Sequence, residues 1–206
     1  MKIAQLPFGK TRLILLTILT VALSSAYRYV YCHPDEDTTV PVSITGVHHL
    51  GSDYFIRKFY INKSIGDNID KGGGGGSNVC CLILPFKWSP HLIADVRWKV
   101  GHIIRSANPA TPETAELEGI YRAQVPVEKY SELGNLYVHF FPDGRVRIVV
   151  SPNTSDSEVH PIRSSDTNAS RAATFGKKES TLFTAEELSE LRDKADSARL
   201  EHGGWR

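Results

Sequence analysis

Apolar and polar residues alternate with a period of two through most of the middle of the chain. In residues 92–100, Val96, Trp98 and Val100 share one face while Asp95, Arg97 and Lys99 share the other, the pattern of a strand with one buried and one solvated side. Residues 40–47 and 54–61 read as earlier strands, parted by the turn residues Gly51, Ser52 and Asp53. A further strand opens at Val79, and 118–127, 135–141 and 146–150 follow. Asp143-Gly144 lies between the last two, and an Asp-Gly pair joining β-rich runs is a strong hairpin signal. Residues 105–116, with Pro109 and Pro112, read as loop. Seven short strands over residues 40–152 predict a mainly β domain, an antiparallel β-sandwich or a partly open barrel.

The pattern changes on both sides of this block. Residues 153–180 are rich in Ser, Thr, Asn and Asp with few large apolar side chains, which predicts a flexible linker. Residues 181–206 hold a helix and tail. Thr184 and Glu187 form a capping box, Gly203-Gly204 stops the helix, and Leu188, Leu191, Ala195 and Ala198 give it a narrow apolar stripe. That stripe predicts a loosely docked appendage, with Glu186 and Glu187 acting as favourable charges at the helix N-terminus.

At the other end, Lys2, Lys10 and Arg12 precede an apolar run from Leu13 to Leu23, followed by Ser24, Ser25 and Ala26. This order marks residues 1–26 as a signal peptide or a signal anchor, and export follows from either. Ser24 and Ala26 suit a small-residue cleavage site. Tyr27, Tyr29 and Tyr31 suit the interfacial belt of an uncleaved anchor spanning residues 13–31 at the inner membrane. Residues 27–39 form a polar spacer. Cys32 lacks the small preceding residue and the upstream Leu that lipoprotein processing needs, since Tyr31 precedes it and Tyr29 stands where the Leu would be.

Charge narrows the partners. The chain has 24 basic and 23 acidic residues, and residues 1–26 hold three of the former and none of the latter, so the exported part is near neutral. Neither a nucleic-acid footprint nor a polybasic membrane patch is present. The three cysteines, an odd number for an exported chain, leave one thiol over after any single pairing.

Gly72, Gly73, Gly74, Gly75 and Gly76 run through Ser77 and Asn78 into the strand that opens Val79-Cys80-Cys81. A spacer would alternate Gly with Ser and end in polar residues, whereas this run ends on an apolar strand, so the loop belongs to a folded site. It lacks the Gly-Lys-Ser/Thr ending with which a P-loop grips phosphate. Side chains of adjacent strand residues diverge, so His48 and His49 are expected to point apart, one inward and one solvated, and not to share a metal. By the same reasoning Cys80 and Cys81 are expected to be buried structural thiols, or one of them is bonded to Cys32. A bond between neighbours would demand a distorted backbone. No nucleophile elbow or zinc-protease motif occurs in the chain, so neither a catalytic group nor a cofactor is expected.

Several blocks together resemble a known family. Val42-x-Ile44-x-Gly46, the Gly74-Gly75-Gly76-Ser77 approach to Val79-Cys80-Cys81, Pro85-x-Lys87-Trp88, Val96-x-Trp98, and Tyr137-Val138-His139-Phe140-Phe141-Pro142-Asp143-Gly144-x-Val146 are similar to the bacterial family called domain of unknown function 3304, over roughly residues 40–150. The resemblance implies an exported protein encoded beside a phospholipase effector of a type VI secretion system, as its immunity protein. That gives a non-catalytic, protein-binding role in the periplasm, soluble or anchored to the inner membrane, with a phospholipase effector as partner. Gly72 to Asn78 would form the contact region. The alternative is a structural component of the cell envelope that docks through the β-domain and the C-terminal helix.

Overall fold

The computed structural model describes residues 38–75, 77–108, 112–163, 166 and 168–201, with side chains to Ser197. The signal or anchor segment, Cys32, Gly76 and the tail after Glu201 lie outside the described residues. No helix among the described residues is long and apolar enough to cross a membrane. The chain divides into two units: Val40 and the residues before it group with Pro85–Lys87, and 41–84 with 88–206 form the other. Within the first, the Phe86 N–H donates to the Thr38 carbonyl at 2.7 Å.

Among the described residues ten strands and one α-helix follow in order: β1 (Thr39–His48), β2 (Tyr54–Ile61), β3 (Ser64–Ile65), β4 (Val79–Pro85), β5 (Ile93–Ile104), β6 (Thr114–Pro126), β7 (Asn135–Phe141), β8 (Arg145–Ser151), β9 (Thr174–Phe175), β10 (Lys177–Glu179) and α1 (Ala185–Glu201), with a 3-10 turn at Ala169–Ala172 before β9. They form two five-stranded sheets, ordered β4-β1-β7-β8-β9 and β10-β6-β5-β2-β3. The mainly β expectation holds, with two sheets and no closed barrel. Most pairings are antiparallel, but β1 and β7 run parallel from Ile44 opposite Leu136 to His48 opposite Phe140. A parallel pair needs a long crossover, and here that crossover holds β2, β3, β5 and β6 of the second sheet together with β4 of the first.

The sheets face each other across one core. Ile44, Phe59, Val96, Trp98, Leu136, Val138, Phe140 and Ile148 are buried in it, and Phe140 meets the Phe59 ring edge-on at 5.3 Å and the Trp98 ring at 5.5 Å. The Val96, Trp98 and Val100 face points inward as the alternation predicts. The hairpin at Asp143-Gly144 also follows the sequence: φ is 62° and 67° there, left-handed conformations that Asp and Gly accept, and Pro142 to Gly144 join the paired Phe141 and Arg145. β5 and β6 run longer than their patterns suggested and pair from Ile93 opposite Pro126 to Ile104 opposite Thr114.

Residues 153–180 depart from the expected linker. Ser155, His160, Ile162, Ala169 and Ala173 are buried, and the segment ends in β9 and β10, which pair with β8 and β6. Ile162, Ala169 and Ala173 pack with Val47, Tyr137, Phe141 and Val149 as a second apolar cluster, so this strap covers the outer face of the first sheet. Its buried apolar side chains are few, and Val159 and Phe175 face solvent instead. Two β8 arginines tie it down: Arg147 donates to the Ala169 carbonyl at 2.9 Å and Arg145 to that of Ser170 at 3.3 Å. Arg147 is itself held by a two-pronged ion pair with Glu128, at 2.6 and 2.8 Å.

The outer face of β5 is less solvated than its alternation implied. Arg97 is only 3 % exposed, because the start of α1 lies on it. Its guanidinium bonds both Glu187 oxygens at 2.7 Å and the Leu182 carbonyl at 2.8 Å, while its Nε donates to Asp95 at 2.8 Å. Phe183 covers the guanidinium at 4.6 Å. Glu187 is thus more than a charge at a helix end. Arg97, and then the backbone N–H of Thr184, hold its carboxyl down at about 2. The capping box is in place too, with Glu187 N–H donating to Thr184 Oγ1 at 3.2 Å and Thr184 N–H to Glu187 Oε2 at 3.0 Å. Beyond this first turn Leu191 alone is half-buried as far as Ser197, so the helix is anchored chiefly by the buried Arg97–Glu187 pair, with an exposed Lys63–Glu190 pair at 3.0 Å beside it.

Glu187→Ala should therefore free α1 and leave Arg97 partly uncompensated, at a cost of about 3 kcal/mol, the low end for breaking a buried pair because Asp95 still holds Nε. Chemical denaturation measures the loss, and limited proteolysis should cut α1 in the variant first. Equal stability of variant and parent would show that the helix is held some other way.

Candidate functional site

The glycine loop is bound to the edge of β1 beyond the end of β4. The His48 N–H donates to the Gly73 carbonyl at 2.8 Å and the Gly75 N–H to that of Gly46 at 3.0 Å. Thr45 Oγ1 donates to Asn78 Oδ1, and Ser77 Oγ to Asp67. Gly73, Gly74 and Gly75 take φ of 97°, 86° and 95°, where a side chain is strained. A Cβ on Gly74 would also press on Ile69 and lie 2.6 Å from the Gly46 carbonyl oxygen. Three of the expected contact residues, Gly73, Gly74 and Gly75, thus have a structural task. Gly72, Ser77 and Asn78 are exposed, and Gly76 lies outside the described residues.

The cysteines differ from the expectation. Cys80 and Cys81 are both exposed and are bonded to each other across a cis peptide. They are neither buried thiols nor joined to Cys32. In β4 the core positions fall to Leu82 and Leu84, which leaves the cysteines outside the apolar layer.

His48 and His49 do point apart, but neither is simply solvated. His48 is buried, with its Nε2 2.8 Å from the Asp70 carbonyl and its Nδ1 accepting from the Leu50 N–H at 3.3 Å. His49 is half-buried and joins a file of three imidazoles: its Nε2 lies 2.9 Å from Nδ1 of His139, whose Nε2 lies 3.2 Å from Nε2 of His160. The far end is closed by the Asn153 carbonyl, 3.1 Å from His160 Nδ1. A neutral imidazole has one N–H and one bare nitrogen, and a carbonyl can only accept. His160 must therefore carry its proton on Nδ1, His139 on Nε2 and His49 on Nε2. One backbone oxygen sets three tautomers, and the bare Nδ1 of His49 ends the file.

Every histidine in this region is pushed below its ordinary pKa, chiefly by burial. His49 falls to about 4, with the charges of His48 and Arg147 adding to burial. His139, wholly buried, falls well below the usual range for the same reason, assisted by His49, His160 and Arg147. For His48 and His160, bonds to the carbonyls of Asp70 and Asn153 partly offset burial. The file is linear and its nitrogens face one another, so it does not converge on a point. Among the described residues no group of three or more His, Cys, Asp or Glu side chains is placed to hold a metal ion.

Next to the loop an open cleft of about 380 Å³ separates Asp70 and Lys71 from the β5–β6 hairpin. Phe55, Ile103 and Ala115 line it with Lys71 and Glu113, which pair at 3.4 Å. Arg105 extends the charged edge, pairing with Asp53 at 2.5 Å and Glu113 at 3.7 Å.

Residues 51–148 match the family model described as Protein of unknown function (DUF3304). They form a DUF3304 domain. No curated protein and no solved structure matches the chain. The DUF3304 match takes in the glycine loop, both exposed cysteines, the cleft and His139. His48, His49, His160, the strap and α1 lie outside it, so the histidine file joins the DUF3304 domain to residues on both sides of it.

Sequence reading missed this file, although one signal was present. Residues 136–141 of β7 are apolar or aromatic at every position but His139, and all are buried. A strand without alternation has both faces covered, which already requires a layer outside the first sheet and places His139 in it.

Two predictions follow from this geometry. A histidine whose folded pKa is depressed gives stability that is complete above its unfolded value of about 6.5 and is lost as pH falls toward the folded value. The denaturation midpoint should hence be flat above pH 7 and drop between about 6.5 and 4, at up to about 1.4 kcal/mol per pH unit for each histidine involved. His139→Gln should make the slope shallower, and an unchanged slope would exclude the file as its source. In the loop, Gly74→Ala should cost at least about 1–2 kcal/mol, from the left-handed backbone alone. Gly72→Ala, whose Cβ meets nothing within 4 Å, should stay within about 0.5 kcal/mol of the parent. Thermal melts of the two variants compare them directly.

Proposed function

We propose that the protein is an exported, non-catalytic binding module that neutralises a lipase effector of a type VI secretion system in the bacterial periplasm, as its immunity protein. The observation that carries the proposal is the cleft beside the glycine loop. Phe55, Ile103 and Ala115 give it an apolar floor, and Lys71, Glu113 and Arg105 give it a charged edge. Binding surfaces combine an apolar centre with a polar rim in this way, and a few buried anchors supply most of the affinity.

The export-like N-terminus supports the compartment, and the effector as partner is what the resemblance drawn from the sequence implies. In this reading the glycines matter indirectly. They fix Asp70 and Lys71 against β1, and those two residues form one wall of the cleft. The N-terminal segment either holds the module at the inner membrane or is removed to release it.

The test is co-purification with a candidate phospholipase effector, followed by titration of the purified pair. Ile103→Glu with Ala115→Arg should weaken binding at least tenfold, about 1.4 kcal/mol, while the melting temperature of the free protein holds. Undiminished affinity in the folded double variant would move the interface away from the cleft. Absence of any complex with the native protein would end the immunity reading.

A further inference from the structure

A second cleft lies at the hairpin turn between β7 and β8. It has a volume of about 280 Å³, and Leu50, Tyr54, Tyr121 and Phe141 form its walls together with the carboxylate-bearing Glu118 and Asp143. The turn is the Phe141-Pro142-Asp143-Gly144 block, prominent in the sequence and unused by the binding role proposed above.

Tyr121 is built into place. Its ring stacks on Trp98 at 5.4 Å, and glycines flank it on two sides. A Cβ on Gly119 would come within 2.8–2.9 Å of the ring and hydroxyl, and one on Gly144 would strike the ring edge. The second aromatic wall is braced as well, since Tyr54 stacks on His102 at 4.5 Å. Burial, and then the charges of Glu118 and Asp143, push the Tyr121 hydroxyl above its ordinary pKa, in keeping with a negative field at the cleft.

The nearby positive group leaves part of that field free. Arg145 reaches Asp143 at 3.2 Å with one nitrogen, donates to the Pro142 carbonyl at 3.0 Å through Nε and to the Ser170 carbonyl at 3.3 Å, and lies 5.5 Å over the Phe175 ring. It is occupied by the turn and the strap. Two carboxylates against one guanidinium leave a net negative charge among aromatic faces.

We propose that this cleft binds an organic cation, an ammonium or guanidinium head group seated between the Tyr54 and Tyr121 rings and neutralised by Glu118 and Asp143. Aromatic faces attract cations through their quadrupole, more strongly when water is excluded. The volume lies just below the usual range for drug-sized ligands, which suits a head group with a short stem. The cation arrives either as a small molecule or on a Lys or Arg side chain of a bound protein. The site stands on its own residues and does not depend on the lipase partner.

The experiment titrates the full chain, by saturation-transfer NMR and calorimetry, with tetramethylammonium, choline, N-acetyl-lysinamide and N-acetyl-argininamide. The neutral choline isostere 3,3-dimethylbutanol serves as control. A dissociation constant on the order of 1–10 mM is expected for at least one cation, with the neutral isostere at least fivefold weaker. Preference for the quaternary ions assigns a small-molecule source, and preference for the amino-acid amides a side chain. Glu118→Gln with Asp143→Asn should weaken the cation at least tenfold and leave the isostere unchanged; Asn is accepted at the left-handed φ of residue 143, so the hairpin persists. Tyr121→Leu should remove the preference for cation over isostere. Equal binding of cation and isostere, indifference to the carboxylate variant, or no saturation by any cation would each overturn the proposal.

Discussion

Burial of β7 on both faces is the constraint around which this molecule is arranged. Leu136, Val138 and Phe140 project into the core between the sheets, while Tyr137, His139 and Phe141 project the other way. A strand apolar on both sides is stable only when each side is covered. The second sheet covers one face, and the strap of residues 153–175 covers the other. β1 is drawn alongside as the parallel neighbour, which brings Gly46 to the core face and Val47 and His49 to the outer layer.

That outer layer accommodates a polar group under strict conditions. His139 has no access to water, and a buried imidazole with an unmet nitrogen would lose the cost of its desolvation. His49 and His160 meet both of its nitrogens, and the Asn153 carbonyl ends the file. The price of this arrangement is that His139 and His160 must stay neutral, since each needs one bare nitrogen to accept from its neighbour. Arg147 reinforces the demand, since it sits opposite His139 in the β7–β8 register and carries a fixed positive charge. The same side chain binds Glu128 and the strap, so one arginine both closes the layer and opposes protonation inside it.

On the opposite sheet a buried charge is handled by pairing. Arg97 is as deeply covered as a core residue, yet Glu187, Asp95 and the Leu182 carbonyl meet its donors and Phe183 covers its face. A buried pair of this kind adds little net stability but penalises any other arrangement. It decides where the start of α1 docks on the sheet. At the glycine loop the backbone itself is the interacting group, and the absence of Cβ atoms lets Gly74 lie against Gly46. Each device fixes a boundary of the folded unit: the strap, the helix and the loop.

The sequence by itself determined the features whose causes are local. Alternation placed Val96, Trp98 and Val100 inward, Asp143-Gly144 set the hairpin, and Thr184 with Glu187 set the start of α1, because each depends on residues a few positions apart. Tertiary structure alone decided that β1 runs parallel to β7, that the polar stretch after Ser151 is a packed strap, and that Arg97 is buried. It also decided that His49, His139 and His160, spread over 111 positions of chain, form one file. The two clefts are of the same kind, since their walls come from strands that meet only when the sheets assemble. Composition and period report what a segment can bury; which distant segment buries it is set by sheet order and the pairing of polar groups, and neither is written in any one stretch of the chain.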